Sequence, residues 1–460
     1  MFGASILFLR IAVSAALCAL TVFLGYFARR TDFGTYLTAY SLFFGVYVYL
    51  LYRRDLTARD IRWYIGLGIF LRCLLLFHLP NFSDDIYRFL WDGRLLAHGI
   101  HPFSQVPAYF MEPQHAVPGL TTELFSKLNS PGYFTVYPPV CQSVFALSAW
   151  LFPTSIAGGV FVMKLFLLGC ELGTMYLIGR RLGANVSQEK GAPVFAAALA
   201  YALNPLLIME ITGNCHFEGA MICFLLAGIF ALHNGRINGA ALWFALATAV
   251  KILPLMFLPI VWRWLGWRRG LWFCAVFGLL SLILFAPLLD MQVLSNMGAS
   301  LELYFRQFQF NASVYYIVRE IGRWRTGYDL GSLMGPWLGL ATGVGVLLLA
   351  AVTKPDGRPG AGKLDLAESM LFAVLLYLSF SATVHPWYVT VPLALGLFTR
   401  WRFAALWSGL VGLSYSHYAG GAYLEKFGLI TLEYTLLWGF IFWEIRKART
   451  AYSFPLSPTK

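Results

Sequence analysis

The sequence predicts an all-α fold, a polytopic transmembrane helical bundle of about 12–14 membrane helices. Three observations predict it. Hydrophobic residues make up 59% of the chain and charged residues only 12%, against roughly 25% charged in a soluble domain. Mean hydropathy is +0.66. Apolar runs of about 18 residues or more, long enough to cross a bilayer as helices, recur from end to end. The solvated block is one loop, 80–138, so 1–460 reads as a single transmembrane domain with a large outer loop inside it.

The net charge of +12 reads with this topology. A positive excess in a membrane protein marks cytoplasmic loops, and nucleic acid is not an expected partner. The cysteines, Cys18, Cys73, Cys141, Cys170, Cys215, Cys223 and Cys274, lie mostly inside apolar runs without paired spacing. They suggest neither a disulfide framework nor a zinc site. The first apolar run, 4–27, is too long for a signal peptide and reads as the first span.

The next spans fall near 34–52 and 63–79. Arg53, Arg54, Arg59 and Arg62 form the densest short basic loop, which places that loop in the cytoplasm. Arg29 and Arg30 then fall outside, the one clear violation of the scheme. After the outer loop, the short apolar run 140–152 follows Pro138 and Pro139 and reads as an interfacial helix over 139–153. The span 157–179 then brings Arg180, Arg181 and Lys190 inside, and spans 192–209 and 217–233 go out and back. The run 237–262 carries Lys251 and Pro254 at its middle and reads as two short helices meeting near the outer side. Broken helices at membrane depth are tolerated where they line a cavity. Span 270–289 leads to a second outer segment, 290–331, and 333–353 returns to Lys354, Arg358 and Lys363. Spans 366–383 and 388–399 flank an outer turn at His385. Spans 403–417 and 428–445 finish the chain.

This scheme, fixed by basic loops, gathers the unusual polar clusters on the outer side. They are Asp84-Asp85, Tyr137-Pro138-Pro139, the segment from Gly213 to Glu218, Lys251, Asn311-Ala312-Ser313, and His385-Pro386-Trp387-Tyr388. Ionisable groups at membrane depth are costly, so several on one side suggest a shared cavity. From Ser83, an N-cap residue, the spacing predicts an amphipathic helix lying in the outer interface. Ile86, Phe89, Leu90 and Leu96 share its apolar face and Asp85, Arg88 and Asp92 its polar one. Asp84 and Asp85 could equally serve as capping acids of that helix. Asn214, His216 and Glu218 could share a site or form a solvated turn. Lys251, in an apolar run, needs an anion or water nearby. Arg72, Lys164 and Glu171 are embedded too, and pairing among them would be structural. The His385 turn also reads as an aromatic-belt loop.

The ordered pieces at 83–94, His98-Gly99-Ile100-His101-Pro102-Phe103, Tyr137-Pro138-Pro139, Leu203-Asn204-Pro205-Leu206, 213–218, 250–255 and 385–388 resemble bacterial GT-C glycosyltransferases. The pattern is similar to the polyprenyl-phosphate-mannose-dependent mannosyltransferases of the family 87 type. The pieces at 213–218 and 251–254 also resemble the eukaryotic enzyme that adds the first mannose of the GPI anchor. The resemblance covers roughly 60–400.

The resemblance implies a multi-span helical fold of GT-C type with juxtamembrane helices and a catalytic acid in the first outer loop. It implies transfer of a sugar, mannose first, from a polyprenyl-phosphate donor to a lipid or glycan acceptor, with inversion. The protein would sit in the cell inner (plasma) membrane with its site on the periplasmic or extracellular side. Relatives carry Asp-x-Asp or Glu-x-Asp where this chain has adjacent acids, so the base is Asp85 or Asp84, with Asp85 favoured by its distance to the following His-Gly piece. Lys251, His385 and Arg88 are candidate cations for the leaving phosphate. Arg94, Tyr137, Asn214, His216 and Glu218 are candidate binding residues, His216 and Glu218 holding the sugar or acceptor or tuning the base, and Trp91, Trp387 and Tyr388 could stack on a sugar face. No metal or cofactor is required by this pattern, although Asp84, Asp85 and Glu218 could hold a divalent cation through oxygens. Competing readings are a GT-C enzyme using another polyprenyl-phosphate sugar, and a transporter or flippase of a lipid-linked sugar. The latter predicts midplane polar groups and internal repeats.

Overall fold

The computed structural model describes residues 2–53, 55–183, 192–289, 295–296, 298, 308–356, 364–421 and 423–452. Among these residues it is all-helical apart from two isolated bridges, Phe310 with Thr383 and Thr353 with Leu364. Expectations on Arg54, Lys190, Arg358, Lys363 and most of 290–307 lie outside the described residues.

The N-terminal unit is α1 (Phe2–Val22, continued by a π turn at Phe23–Phe27), α2 (Phe33–Tyr52) and α3 (Ala58–Leu74). α3 starts on a reciprocal cap between Thr57 and Asp60, which also anchors Arg10 of α1 at 2.5 Å. Next come α4 (Asp85–Ala97) and α5 (Thr122–Ser126). Then α6 (Pro139–Leu151) begins with proline in its first turn, where no amide hydrogen is needed. α7 (Ile156–Gly183) is a long span, followed by α8 (Ala192–Ala202). The chain breaks at Leu203-Asn204 before α9 (Pro205–Leu207), which runs on as a π segment, Ile208–Gly213. α10 (Glu218–His233), α11 (Ile237–Val250), α12 (Leu258–Leu265) and α13 (Trp267–Phe285) follow. Past the second outer segment lie α14 (Val314–Thr326), α15 (Gly331–Val352), α16 (Leu366–Phe380), α17 (Thr390–Gly396), α18 (Phe403–Leu410) and α19 (Phe427–Tyr452).

Among the described residues, six helices are long and apolar enough to cross a membrane: Leu7–Phe27, Phe33–Tyr52, Ile156–Arg180, Trp267–Leu288, Leu333–Val352 and Phe427–Ala448. Pro205–Gly213 and Glu218–His233 together would make a seventh, bent by 112°. The protein is a multi-pass membrane protein, and the expected 12–14 helices are approached only when short and broken helices are counted with these. Large apolar side chains such as Phe8, Trp272, Leu282 and Leu348 are exposed on the long helices, where lipid takes the place of water as their surroundings.

Two cores hold the bundle. One joins α1, α2 and α3 to Leu199, Leu203, Ile208, Met209 and Tyr415. The other runs from α4 and α6 through α7, α10, α11 and α13 to α16–α19. α4 lies directly on α6, and a Cβ on Gly93 would collide with the Phe145 carbonyl, so only glycine permits this approach.

The structure changes three expectations. The run 192–209 is not one span, because Asn204 turns its side chain onto the amides of Leu206 and Leu207 and Pro205 cannot continue the preceding ladder. α4 begins at Asp85, two residues past Ser83, whose hydroxyl accepts from the Asp85 amide. α4 is also no half-solvated interfacial helix: Arg88 and Asp92 on its polar side are buried with Ile86, Phe89 and Leu90. The break in 237–262 occurs where expected, with Lys251 in extended conformation between α11 and a 3-10 turn at Leu253–Phe257.

Candidate active site

Four chain interruptions meet at one end of the bundle: the start of α4, the reversal from Gly213 to Glu218, the break at Lys251, and the turn at His385–Tyr388. Each exists for a local reason. Ser83 and Asp84 precede α4 and leave its first amides open to side chains. Cys215 adopts φ +65°, a left-handed turn that folds the chain between the π segment and α10. Pro254 and Pro386 prevent helices from running through the other two interruptions.

His216 is the hub. Its Nε2 lies 3.2 Å from Ser83 Oγ and 3.9 Å from Asp85 Oδ2. Its Nδ1 faces the Glu210 carbonyl at 3.0 Å and Glu210 Oε2 at 3.3 Å. Trp387 stacks on the ring with centroids 3.7 Å apart, and His385 stacks on Trp387 at 4.3 Å. Asn214 donates to Glu210 Oε2 at 3.0 Å. Lys251 pairs with Glu218, and its ammonium sits 4.5 Å above the centre of the Tyr388 ring. Asp85 accepts from Asn129 of the outer loop at 2.9 Å, and Arg30 holds Asp84 at 2.5 Å.

The electrostatics follow from this crowding. Burial pushes the Asp85 carboxyl above its ordinary value; Asn129 and Lys251 pull it down, as His216 does only when it carries a second proton, and Glu218 adds to the rise. Burial also pushes the His385 imidazole well below its ordinary value, with His216 and Lys251 acting the same way. His385 is therefore neutral at pH 7, a stacked ring and not a cation. Of the candidate cations Lys251 stays at the site, its side chain 35% exposed while Glu218 is 3% exposed.

Asp84, Asp85, Asn214, His216, Glu218, Lys251, His385, Trp387 and Tyr388 thus come together. Arg88, Arg94 and Tyr137 do not join them. Arg88 pairs with Asp92 at 2.8 Å and donates to the Tyr133 carbonyl, clamping the loop; Asp92 in turn accepts from Thr135 and Gln142. Arg94 donates to the carbonyls of Gly119 and Thr154, tying the loop to the start of α7. Tyr137 packs edge-on against Phe89 and Phe145. Trp91 is fully buried, packed near Phe125, and offers no face to a sugar. Arg72, Lys164 and Glu171 lie in the bundle: Arg72 pairs with Glu171 at 2.8 Å, and Lys164 donates to the carbonyls of Leu75 and His78.

Glu210, Asn129, Arg30, Tyr415 and Ser83 were not singled out as site residues from the sequence. Arg30 carried a signal all the same: the residue that violated the basic-loop rule is the one that reaches Asp84. Glu210 sits in an apolar run with nothing beside it to mark a role. Among the described residues, no group of three or more His, Cys, Asp or Glu side chains is placed to hold a metal ion. Of the acids considered for a cation, Asp84 and Glu218 already face Arg30 and Lys251.

A family model described as alpha-(1->6)-mannopyranosyltransferase, N-terminal domain, matches residues 4–266. Alpha-(1->6)-mannopyranosyltransferase A of Mycobacterium tuberculosis is 25% identical over 347 residues, 70% of this chain and 62% of that protein. Alpha-(1->6)-mannopyranosyltransferase B of Corynebacterium glutamicum is 29% identical over 153 residues, 33% of this chain and 23% of the relative. The A protein of the same organism is 25% identical over 210 residues, 44% of this chain and 38% of the relative. The chain spans less than two thirds of the length of these curated relatives. The family model covers more than half of it, and takes in α4, the His216 reversal and Lys251. By that match the chain belongs to the alpha-(1->6)-mannopyranosyltransferase family.

Proposed function

We propose that this chain is a membrane mannosyltransferase that moves mannose from a polyprenyl-phosphate donor to a hydroxyl of a glycan or lipid acceptor. The reaction takes place on the non-cytoplasmic face of the inner membrane, with inversion at C1. The family membership supports mannosyl transfer. The observation that carries the mechanism is the place of Asp85: a carboxylate at the mouth of the outer loop, made more basic by burial, facing His216 and in reach of the fields of Lys251 and Glu218.

A sugar hydroxyl is a weak nucleophile, so its proton must leave as it attacks. Asp85 takes that proton. The acceptor oxygen bonds to C1 of mannose from the side opposite the phosphate. The C1–O bond to phosphate breaks, and its electron pair stays on the leaving polyprenyl phosphate. Lys251, partly exposed beside Tyr388, faces the charge that grows on the leaving oxygen, where a positioned cation acts most strongly. Asp84 is the second candidate for the base, but its Oδ2 is held by Arg30, which leaves Asp85 the better placed of the two. The Tyr388 ring beside Lys251 is the one placed to meet the sugar, since Trp387 is stacked against both His216 and His385, and Asn214, His216 and Glu218 belong to the same cluster. Arg88 and Arg94 act at a distance by holding the loop 80–138 against α6 and α7.

The test is transfer of radiolabelled mannose from polyprenyl-phosphate-mannose into a membrane lipid extract by purified protein in nanodiscs. Wild type should form labelled product and Asp85→Asn should not. Loss with Asp84→Asn alone would move the base by one residue. Donor that crosses the bilayer unchanged, in wild type and both variants, would overturn the enzyme reading in favour of a flippase.

A further inference from the structure

We propose that Glu210 is a positioning residue: it fixes the tautomer and orientation of His216 so that the Nε2 lone pair faces the base Asp85. This rests on the functional reading above for its catalytic consequence, but not for its geometry.

Glu210 is 2% exposed, at membrane depth, in the π segment before the reversal. A carboxylate so placed needs several donors to offset lost hydration. It has them: Tyr415 donates to Oε1 at 2.7 Å and Asn214 to Oε2 at 3.0 Å. Its third neighbour is His216 Nδ1, 3.3 Å from Oε2 and 3.0 Å from the Glu210 carbonyl. Two acceptors therefore face Nδ1, and neither can donate. A neutral imidazole answers this by carrying its hydrogen on Nδ1. Nε2 is then a bare lone pair, and it points at Ser83 Oγ and Asp85 Oδ2. The Trp387 ring on one face removes the remaining freedom to rotate.

The consequence concerns Asp85 after it has taken the acceptor's proton. The new carboxylic O–H needs an acceptor, and Nε2 presents one. With the other tautomer, an N–H would sit there: it would stabilise the carboxylate before the reaction and oppose its protonation during it. The left-handed turn at Cys215 folds His216 back onto Glu210, whose carbonyl also accepts from the His216 backbone amide at 3.2 Å, so carbonyl and side chain of one residue meet the same ring. Glu210 also holds Asn214 at 3.0 Å, but of its partners His216 is the one that faces Asp85.

The experiment reads the tautomer directly. The full chain, labelled with 15N-histidine, is examined by solid-state NMR in nanodiscs at pH 8, with His216→Gln identifying the His216 signals. A proton on Nδ1 and a bare Nε2 in wild type are expected, and Glu210→Gln should scramble that signature. A proton on Nε2 in wild type overturns the proposal, and this arm needs no variant of Glu210 to fold. In the transfer assay, Glu210→Gln should lower kcat about 100-fold, the lower end of what general acid–base catalysis contributes, with donor KM and Tm little changed. Glu210→Asp should recover part of that loss. An unchanged kcat in Glu210→Gln, or a loss matched by a fall in Tm, overturns the positioning role. If wild type transfers no mannose, the functional reading fails, and the NMR arm still decides the geometry.

Discussion

Replacing Lys251 separates two things that the cleft combines, the stability of a buried carboxylate and the stabilisation of a leaving phosphate. Lys251→Met leaves Glu218, 3% exposed, without its cation. Orphaning one member of a fully buried pair costs about 3–5 kcal/mol. Here the lysine side chain is about one third exposed (35%), and exposed pairs contribute only about 0–1 kcal/mol. Glu218 also opens α10, and a carboxylate at a helix N-terminus gains about 0.3–1 kcal/mol. A loss of about 1–3 kcal/mol is therefore expected for Lys251→Met. Glu218→Gln should cost less, because the lysine keeps both its open side and the Tyr388 ring. The double variant removes the orphan and should regain most of the lost stability. Transfer should behave otherwise. Removing a cation aimed at developing charge costs about 10²–10³-fold in rate, and the double variant lacks that cation as the single one does. Tm from intrinsic fluorescence in detergent and mannose transfer from the donor lipid measure the two quantities on the same samples. Recovery of transfer together with Tm in the double variant would refute the catalytic role and make Lys251 only the partner of Glu218.

The pH profile carries the signature of Asp85: since burial raises its carboxyl, the base is lost to protonation as pH falls through a value above the ordinary aspartate range of about 3.9. The acid limb of kcat/KM should lie above that range, with activity rising as pH rises through it; a limb at or below about 3.9 would contradict the burial argument. The pair Arg72–Glu171 is wholly buried, so Arg72→Met should destabilise by about 3–5 kcal/mol and the double Arg72→Met with Glu171→Met by much less, read as Tm in the same detergent.

The site was legible where a residue contradicted its surroundings. Lys251 and Pro254 in an apolar run cannot continue a lipid-facing helix, so the break at 251 followed from chemistry. Arg30 was visible as a violation of the charge rule, although its partner Asp84 was not. Arg94 looked like a ligand for a substrate because its partners are backbone carbonyls of Gly119 and Thr154, which leave no pattern in sequence; Arg88 shares a legible helix face with its partner Asp92, and only its second partner, the Tyr133 carbonyl, was hidden. Glu210 and the break at Asn204 were hidden for a related reason. One acid or one asparagine in an apolar stretch does not alter its hydropathy enough to end a span, and what ends it is a side chain reaching the amides of the next turn. The helices were therefore largely readable from periodicity and charge, while the cleft depended on contacts between segments up to about two hundred residues apart, as Tyr415 and Glu210 are.

Buried charge also decides between an enzyme and a carrier. A transporter would keep polar groups at mid-membrane so that they can be uncovered from each side in turn. This bundle does hold buried charges, Arg72 with Glu171 on α3 and α7, and Lys164 on α7. They are engaged within the bundle: Arg72 donates to the carbonyls of Gly68 and Ala202 as well as pairing with Glu171, and Glu171 also accepts from Thr212 at 2.5 Å. Uncovering them would break a network that joins α3, α7, α8 and the π segment at once, so they act as a clasp and not as a carrier site. Cys170, buried halfway along α7 beside Glu171, reports on this. In a protein keeping Cys170 as its sole cysteine, a membrane-impermeant maleimide should fail to label from either side, with or without donor lipid. Labelling that appears from both sides, and shifts when donor is added, would mean that the clasp opens and that the chain moves its lipid-linked sugar across the membrane.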